Sequence, residues 1–224
     1  MKTLLDNKTR YLQIAFNYDM RMVQQVLPQI PQHSRILIEA GTPFIKREGL
    51  RGILLIRRMW RGLVVADIKV ADGALGEVEM VYQAGADAIT VLGNAPKETL
   101  DMVVGSCQKL KMISMVDMVG VNDPLKVLMG LKKPPDVVVL HRGRDEENTR
   151  NKVIQYRHVN RIRSKFNVLI SAAGGLDVKG ARSAIFNGAN IVVANLVQPG
   201  DQWTGISTQE NVGEMANAFL TTIE

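Results

Sequence analysis

The chain has 224 residues, 46% of them hydrophobic and 22% charged, with a formal net charge of +6. That length and balance suit one domain spanning residues 1–224 around a buried core, and they exclude a disordered or membrane-embedded chain. A single cysteine, Cys107, excludes an internal disulfide and any cysteine-based metal site, and points to a reducing, cytoplasmic compartment.

Residues 1–10 read as an N-terminal extension, because Asp6 and Lys8 interrupt their short apolar stretch. No later run approaches the length that a bilayer span requires. From there, short runs rich in branched apolar residues alternate with longer segments of helical periodicity. A strand at Leu12–Phe16 precedes a helix near 20–29, and Ile36–Glu39 precedes one near 43–60. Leu63–Asp67 is followed by a helix near 74–84, Ala88–Leu92 by one near 96–110, and Met112–Asp117 by one near 123–131. Val137–His141, Val168–Ser171 and Ile191–Ala194 complete the strands, with helices near 148–165, 177–187 and 208–222. Lys132-Lys133-Pro134-Pro135 leads straight into a strand and reads as a turn.

Eight strand-helix units in 224 residues leave about 28 residues per unit, close to the minimum for a right-handed crossover. The expected fold is therefore a closed (β/α)8 barrel, with an open doubly wound sheet as the competing architecture. Continuous apolar strands fit either arrangement, since helices cover at least one face. Two basic segments, Lys46 to Arg61 and Lys152 to Lys165, carry apolar residues at helical spacing, so they read as solvated helix faces; no nucleic-acid partner is expected.

Polar residues gather where strands end. Glu39, Asp67 with Lys69, Asp117 and His141 close four different strands, and in a barrel those ends share one mouth. Asp67-x-Lys69-x-x-Asp72 packs a cation between two anions, an arrangement that shifts pKa values and offers a proton donor or a metal seat. Strand alternation sends Asp67 and Lys69 to one side. Glu39 and Asp67, on neighbouring strands, would supply hard oxygen ligands that suit Mg2+. His141 can take a proton near neutral pH, and the arginines that follow it can hold an anionic oxygen. Gly174 and Gly175, at the seventh βα turn, would let backbone N–H groups approach a phosphate. His33 and His158 fall in a turn and on a basic helix and are given no site role.

From about Tyr11 to Leu196 the sequence resembles 3-hexulose-6-phosphate synthases and their relatives, the 3-keto-L-gulonate-6-phosphate and orotidine-monophosphate decarboxylases. The resemblance rests on Ile38-Glu39-Ala40-Gly41-Thr42-Pro43, on Val65-Ala66-Asp67-Ile68-Lys69-Val70-Ala71-Asp72, on Ala84-Gly85-Ala86-Asp87 with Thr90-Val91-Leu92-Gly93, and on Met115-Val116-Asp117-Met118. Glutamate at position 39 and aspartate at 117 are similar to the synthases, whereas His141-x-x-Arg144 is typical of the gulonate enzymes. The resemblance implies a carbon-carbon lyase that adds formaldehyde to D-ribulose 5-phosphate. In that reading Asp67, Lys69, Asp72 and His141 are catalytic, Glu39 and Asp67 hold Mg2+, and the substrate touches Asn17, Glu39, Asp117, Arg144, Gly174, Gly175, Ala194 and Asn195. It also implies a homodimer in which Asp72 reaches the neighbouring site. Two positions depart from the pattern: Asn17 stands where relatives have aspartate, and Ala194-Asn195 where they have Gly-Gly or Gly-Arg.

Overall fold

Strands dense in Val and Ile form readily because branched Cβ atoms restrict χ1 and pack well on a pleated surface. The computed structural model of the chain describes residues 5–149 and 151–224. Its strands are β1 (Tyr11–Phe16), β2 (Ile36–Ala40), β3 (Val64–Val70), β4 (Ala88–Leu92), β5 (Ile113–Asp117), β6 (Val137–His141), β7 (Leu169–Ala173) and β8 (Ile191–Val197). Each pairs in parallel with the next, and β1 pairs with β8 through Tyr11↔Ile191 to Ala15↔Asn195. That last pairing closes the (β/α)8 barrel and rules out the open sheet.

Alternation divides the apolar residues into two cores. Side chains such as Ala15, Leu37, Val65, Met115, Val139 and Val193 fill the barrel interior, while Leu12, Ile14, Ile38 and Val138 face the helices. Burial of a Val or Leu side chain contributes roughly 1.5–3 kcal/mol, so this double packing, and not the loops, holds the ring together. Leu5 joins the interior cluster from below, under Tyr11. Met1 to Leu4 of the extension lie outside the described residues.

Helices α1 (Met20–Val26), α4 (Ala74–Gln83), α5 (Lys97–Leu110), α6 (Pro124–Met129), α8 (Val178–Phe186) and α9 (Val212–Thr222) form where expected, with shorter ends. Asp19, Asp123, Asp177 and Asn211 cap four of them by accepting from a backbone N–H. The segment near 43–60 is two helices, α2 (Thr42–Glu48) and α3 (Leu50–Met59), because Gly49 takes φ 61° and ψ −155° between them. The segment near 148–165 is mostly irregular: only α7 (His158–Arg163) is α-helical, preceded by a 3-10 turn at Arg144–Glu146. Asn151 at φ 68° and the branched pair Val153-Ile154 disfavour helix there; Arg150 lies outside the described residues. A two-residue strand, β9 (Ile206–Ser207), adds to the end of β8.

Candidate active site

The C-terminal ends of the strands surround a cavity of about 270 Å3 lined by Asn17, Glu39, Asp67, Lys69, Asp117, His141, Arg144, Gly174 and Asn195 among others. With Thr90 of β4 also in the lining, residues from all eight strands or their loops meet at one mouth. The other expected site residues lie elsewhere. Asp72 is exposed on the loop after β3, where its Oδ1 accepts from the Gly73 N–H at 2.8 Å. Gly175 is outside the lining, and Ala194 is fully buried towards the helices, because alternation in β8 turns Val193 and Asn195 inward and Ala194 outward.

Lys69 is the hub of the cluster. Its Nζ lies 2.9 Å from both carboxylate oxygens of Asp67 and 2.7 Å from Asp117 Oδ2. Simple alternation is not what brings it there. The β3–β4 register shifts between Ala66 and Val70, and Lys69 adopts φ 54°, a left-handed backbone that costs of order 1 kcal/mol for a residue with a Cβ. Thr90, on β4, anchors this bulge twice: its hydroxyl accepts from the Lys69 N–H at 3.0 Å and donates to Asp67 Oδ1 at 2.8 Å. The Thr42 hydroxyl lies 2.8 Å from Asp67 Oδ2. Lys69 and the two threonines thus occupy both oxygens of Asp67.

Asp117 links this cluster to the histidine. His141 Nδ1 lies 2.8 Å from Asp117 Oδ2, and the Val119 N–H donates to Asp117 Oδ1 at 3.0 Å. Burial opposes charge on Asp117, yet His141 and Lys69 outweigh it and hold the carboxyl well below the usual range. Burial likewise disfavours the charged lysine, but Asp67 and Asp117 push its pKa above the ordinary value. His141 follows the same logic: desolvation lowers its pKa, and the charge and hydrogen bond of Asp117 more than restore it. With Nδ1 committed to Asp117, Nε2 is the nitrogen left for chemistry.

Glu39 sits lower and is buried, with Gln13 Nε2 donating to its Oε2 at 2.5 Å. Its pKa is pushed up to about 7, first by burial and then by the charge of Asp67. Five carboxylates line the mouth (Glu39, Asp67, Asp117, Asp145, Glu147) against three basic groups, Lys69, His141 and Arg144. Such a field favours a cation among the acids. Arg144 forms no salt bridge among the described residues; its guanidinium instead stacks over Trp203, 4.4 Å from the ring centroid. Trp203 belongs to the segment between β8 and β9, which Tyr18 also holds by a hydroxyl bond to Asp201.

Gln13, Thr42, Thr90 and Trp203 had no site signal of their own. Gln13 and Thr90 are neutral polar residues in apolar strands whose inward parity matches that of Glu39 and Asp67, and Thr42 opens α2 just beyond β2; Thr42 and Thr90 also stand in the stretches that carry the family resemblance.

A model of the orotidine 5'-phosphate decarboxylase / HUMPS family matches residues 10–195, most of the barrel. The chain belongs to that family. Similar curated proteins are named bifunctional enzyme Fae/Hps. One, from Methanothrix thermoacetophila, is 35% identical over 216 residues, covering 96% of this chain and 53% of its own length. Another, from Methanocaldococcus jannaschii, is 40% identical over 170 residues, 75% of this chain and 43% of its own length. The chain thus spans about half the length of the curated relatives it matches. Among solved structures, the 3-hexulose-6-phosphate synthase from Salmonella typhimurium superposes with a TM-score of 0.83 at 22% identity, covering 95% of this chain and 98% of that one. A second 3-hexulose-6-phosphate synthase gives 0.74 at 26% identity, with 96% and 100% covered.

Within this family frame the two departures touch each other. Asn17 Nδ2 donates to Asn195 Oδ1 at 3.0 Å, joining the ends of β1 and β8. Two amides complement one another without net charge, so the pair leaves Asn195 Nδ2 as a donor facing the mouth.

Proposed function

We propose that the protein is a carbon-carbon lyase of the 3-hexulose-6-phosphate synthase type, joining formaldehyde to D-ribulose 5-phosphate to give D-arabino-3-hexulose 6-phosphate. The observation that carries this reading is the Asp67–Lys69–Asp117–His141 chain of contacts across β3, β5 and β6, set in a barrel whose curated relatives carry the Hps name. In the reaction a proton leaves C1 of the sugar, the resulting enediolate attacks formaldehyde, a new C–C bond forms at C1 as the C=O π bond opens, and the former formaldehyde oxygen takes up a proton to become a hydroxyl. His141 Nε2 receives the C1 proton when the imidazole is neutral. Lys69, fixed by two carboxylates, orients the sugar oxygens and meets the negative charge that develops on them. Arg144, with Asn195 and Gly174, holds the phosphate at the far side of the mouth, its guanidinium presented flat by Trp203.

The residues present fit a divalent cation. Glu39 and Asp67 lie on neighbouring strands, and the charge of Asp67 is a cause of the raised Glu39 pKa, a repulsion that a cation between them would relieve. One or two carboxylates are the usual protein share around Mg2+, and a cation at Asp67 would take the place of one of its Lys69 or threonine contacts. Bound there, Mg2+ would supply Lewis-acid stabilisation of the enediolate.

Asp72, exposed away from its own mouth, completes the neighbouring site in a homodimer. No helix among the described residues is long and apolar enough to cross a membrane, and the buried thiol of Cys107 suits a cytoplasmic setting. Decarboxylation of 3-keto-L-gulonate 6-phosphate is the second reading, favoured by Arg144 on the mouth wall. Solvent deuterium should enter C1 of ribulose 5-phosphate only when Mg2+ is present, and hexulose phosphate should form only with formaldehyde. Absence of exchange would remove both lyase readings; exchange without condensation would leave the decarboxylase.

A further inference from the structure

On the barrel face opposite the mouth, the N-terminal ends of three adjacent strands, β7, β8 and β1, frame a second cavity of about 420 Å3. Its polar lining is Arg10, Arg163 and Lys165 with Asn7, Asn167 and Asn190, and no carboxylate contributes. Among the described residues none of the three cations takes part in a salt bridge. Unpaired cations are common on this surface; what sets the hollow apart is that three of them line it with no acid among them.

The arrangement is built into the fold. Asn190, nearly fully buried just before β8, accepts from Arg163 Nη2 at 2.8 Å and from the Ile170 N–H at 3.0 Å, while its Nδ2 donates to the Asn7 carbonyl at 3.0 Å. That network fixes one edge of the guanidinium and leaves its remaining donors unused. Gly188, at φ +93°, makes room beside it, since a Cβ there would lie 3.2 Å from Arg163 Nη1. Burial and the charge of Arg10 both lower the Arg163 pKa, as expected where like charges are held together without an acid. Folding alone gains nothing from that repulsion, whereas a guanidinium fork and an ammonium converging on one hollow match a phosphoryl group.

We propose that this basal cavity binds a multiply charged phosphoryl anion of the diphosphate class, gripped by Arg10, Arg163 and Lys165 with Asn7 and Asn167 as neutral donors. The site is separate from the catalytic mouth and needs nothing from the lyase chemistry. Calorimetric titration of the whole chain with inorganic pyrophosphate, in metal-free buffer, tests it against two variants. Saturable binding of one equivalent should persist in Arg144→Gln, which removes the free cation of the mouth. It should weaken roughly tenfold or more in Arg10→Gln/Lys165→Gln, the loss expected for charge-assisted hydrogen bonds. The double variant should keep the wild-type circular-dichroism spectrum and melting midpoint, which shows that its barrel is intact. A parallel titration with ADP distinguishes the source: equal or tighter binding, lost in the same variant, assigns a nucleoside diphosphate, and binding of pyrophosphate alone assigns the free anion. Unsaturable binding, binding unchanged in the double variant, or binding abolished by Arg144→Gln would each overturn the proposal.

Discussion

Replacing Asp67 by asparagine keeps the side-chain volume but removes the charge that Lys69, Thr42 and Thr90 hold in place. Deuterium exchange into ribulose 5-phosphate should fall at least about a hundredfold while circular dichroism reports an unchanged barrel. Retained exchange would contradict the role given to this carboxylate. His141 sets the pH dependence. Its base form is the active one and its pKa is raised by Asp117, so kcat/KM should climb as pH rises through that value. Asp117→Asn removes the raising partner, and the inflection of the pH profile should move to lower pH. Arg144→Gln should raise KM for the phosphosugar roughly ten- to hundredfold, the worth of lost charge-assisted bonds, with a smaller change in kcat. The charged half of this site was legible in the sequence because a carboxylate or histidine that closes a largely apolar run is conspicuous. The neutral half was not: Gln13 and Thr90 differ from core residues only in which face of the strand they occupy, and nothing in the Asp67-x-Lys69 spacing announces a left-handed lysine.

Among the elements, strand positions followed from composition and most helices from periodicity, but the breaks between them required backbone facts that periodicity hides. Residues 43–60 keep their apolar spacing through Gly49, so one long helix and two short ones look alike. Gly49 itself was the available clue, since glycine commonly ends a helix. Its φ and ψ fall in a region that other residues avoid, yet no atom lies within 4 Å of where a Cβ would stand. Gly49→Ala should therefore destabilise the fold by about 1–3 kcal/mol through backbone strain alone, measurable as a lower urea midpoint with unchanged slope. The described residues of 148–157 failed the helical expectation for the opposite reason: basic and apolar residues alternate suitably, but Asn151 and the branched Val153-Ile154 oppose helix locally. That irregular stretch leaves the loop after β6 free to bring Arg144 and Glu147 to the mouth.

At the scale of the molecule, the eight-unit count was legible because each unit is close to minimal length and no linker interrupts the series. The same count favoured a closed ring over an open sheet, and the β1–β8 pairing bears that expectation out. The proposed dimer has its own test. Asp72→Asn and Lys69→Ala homodimers, each inactive, should regain about a quarter of wild-type activity when subunits are exchanged, because half of the pairs then carry one complete site. No recovery after verified exchange would place Asp72 outside the partner's chemistry.

The contact between Asn17 and Asn195 spans 178 positions of the chain. On the ribosome, β1 emerges early and must wait for β8 before its second edge is covered. At ordinary elongation rates that delay is roughly ten to forty seconds. Throughout it, Tyr11–Phe16 presents an unpaired margin to every other nascent polypeptide nearby, so cellular yield should depend on chaperone supply more steeply than the stability of the finished ring would suggest.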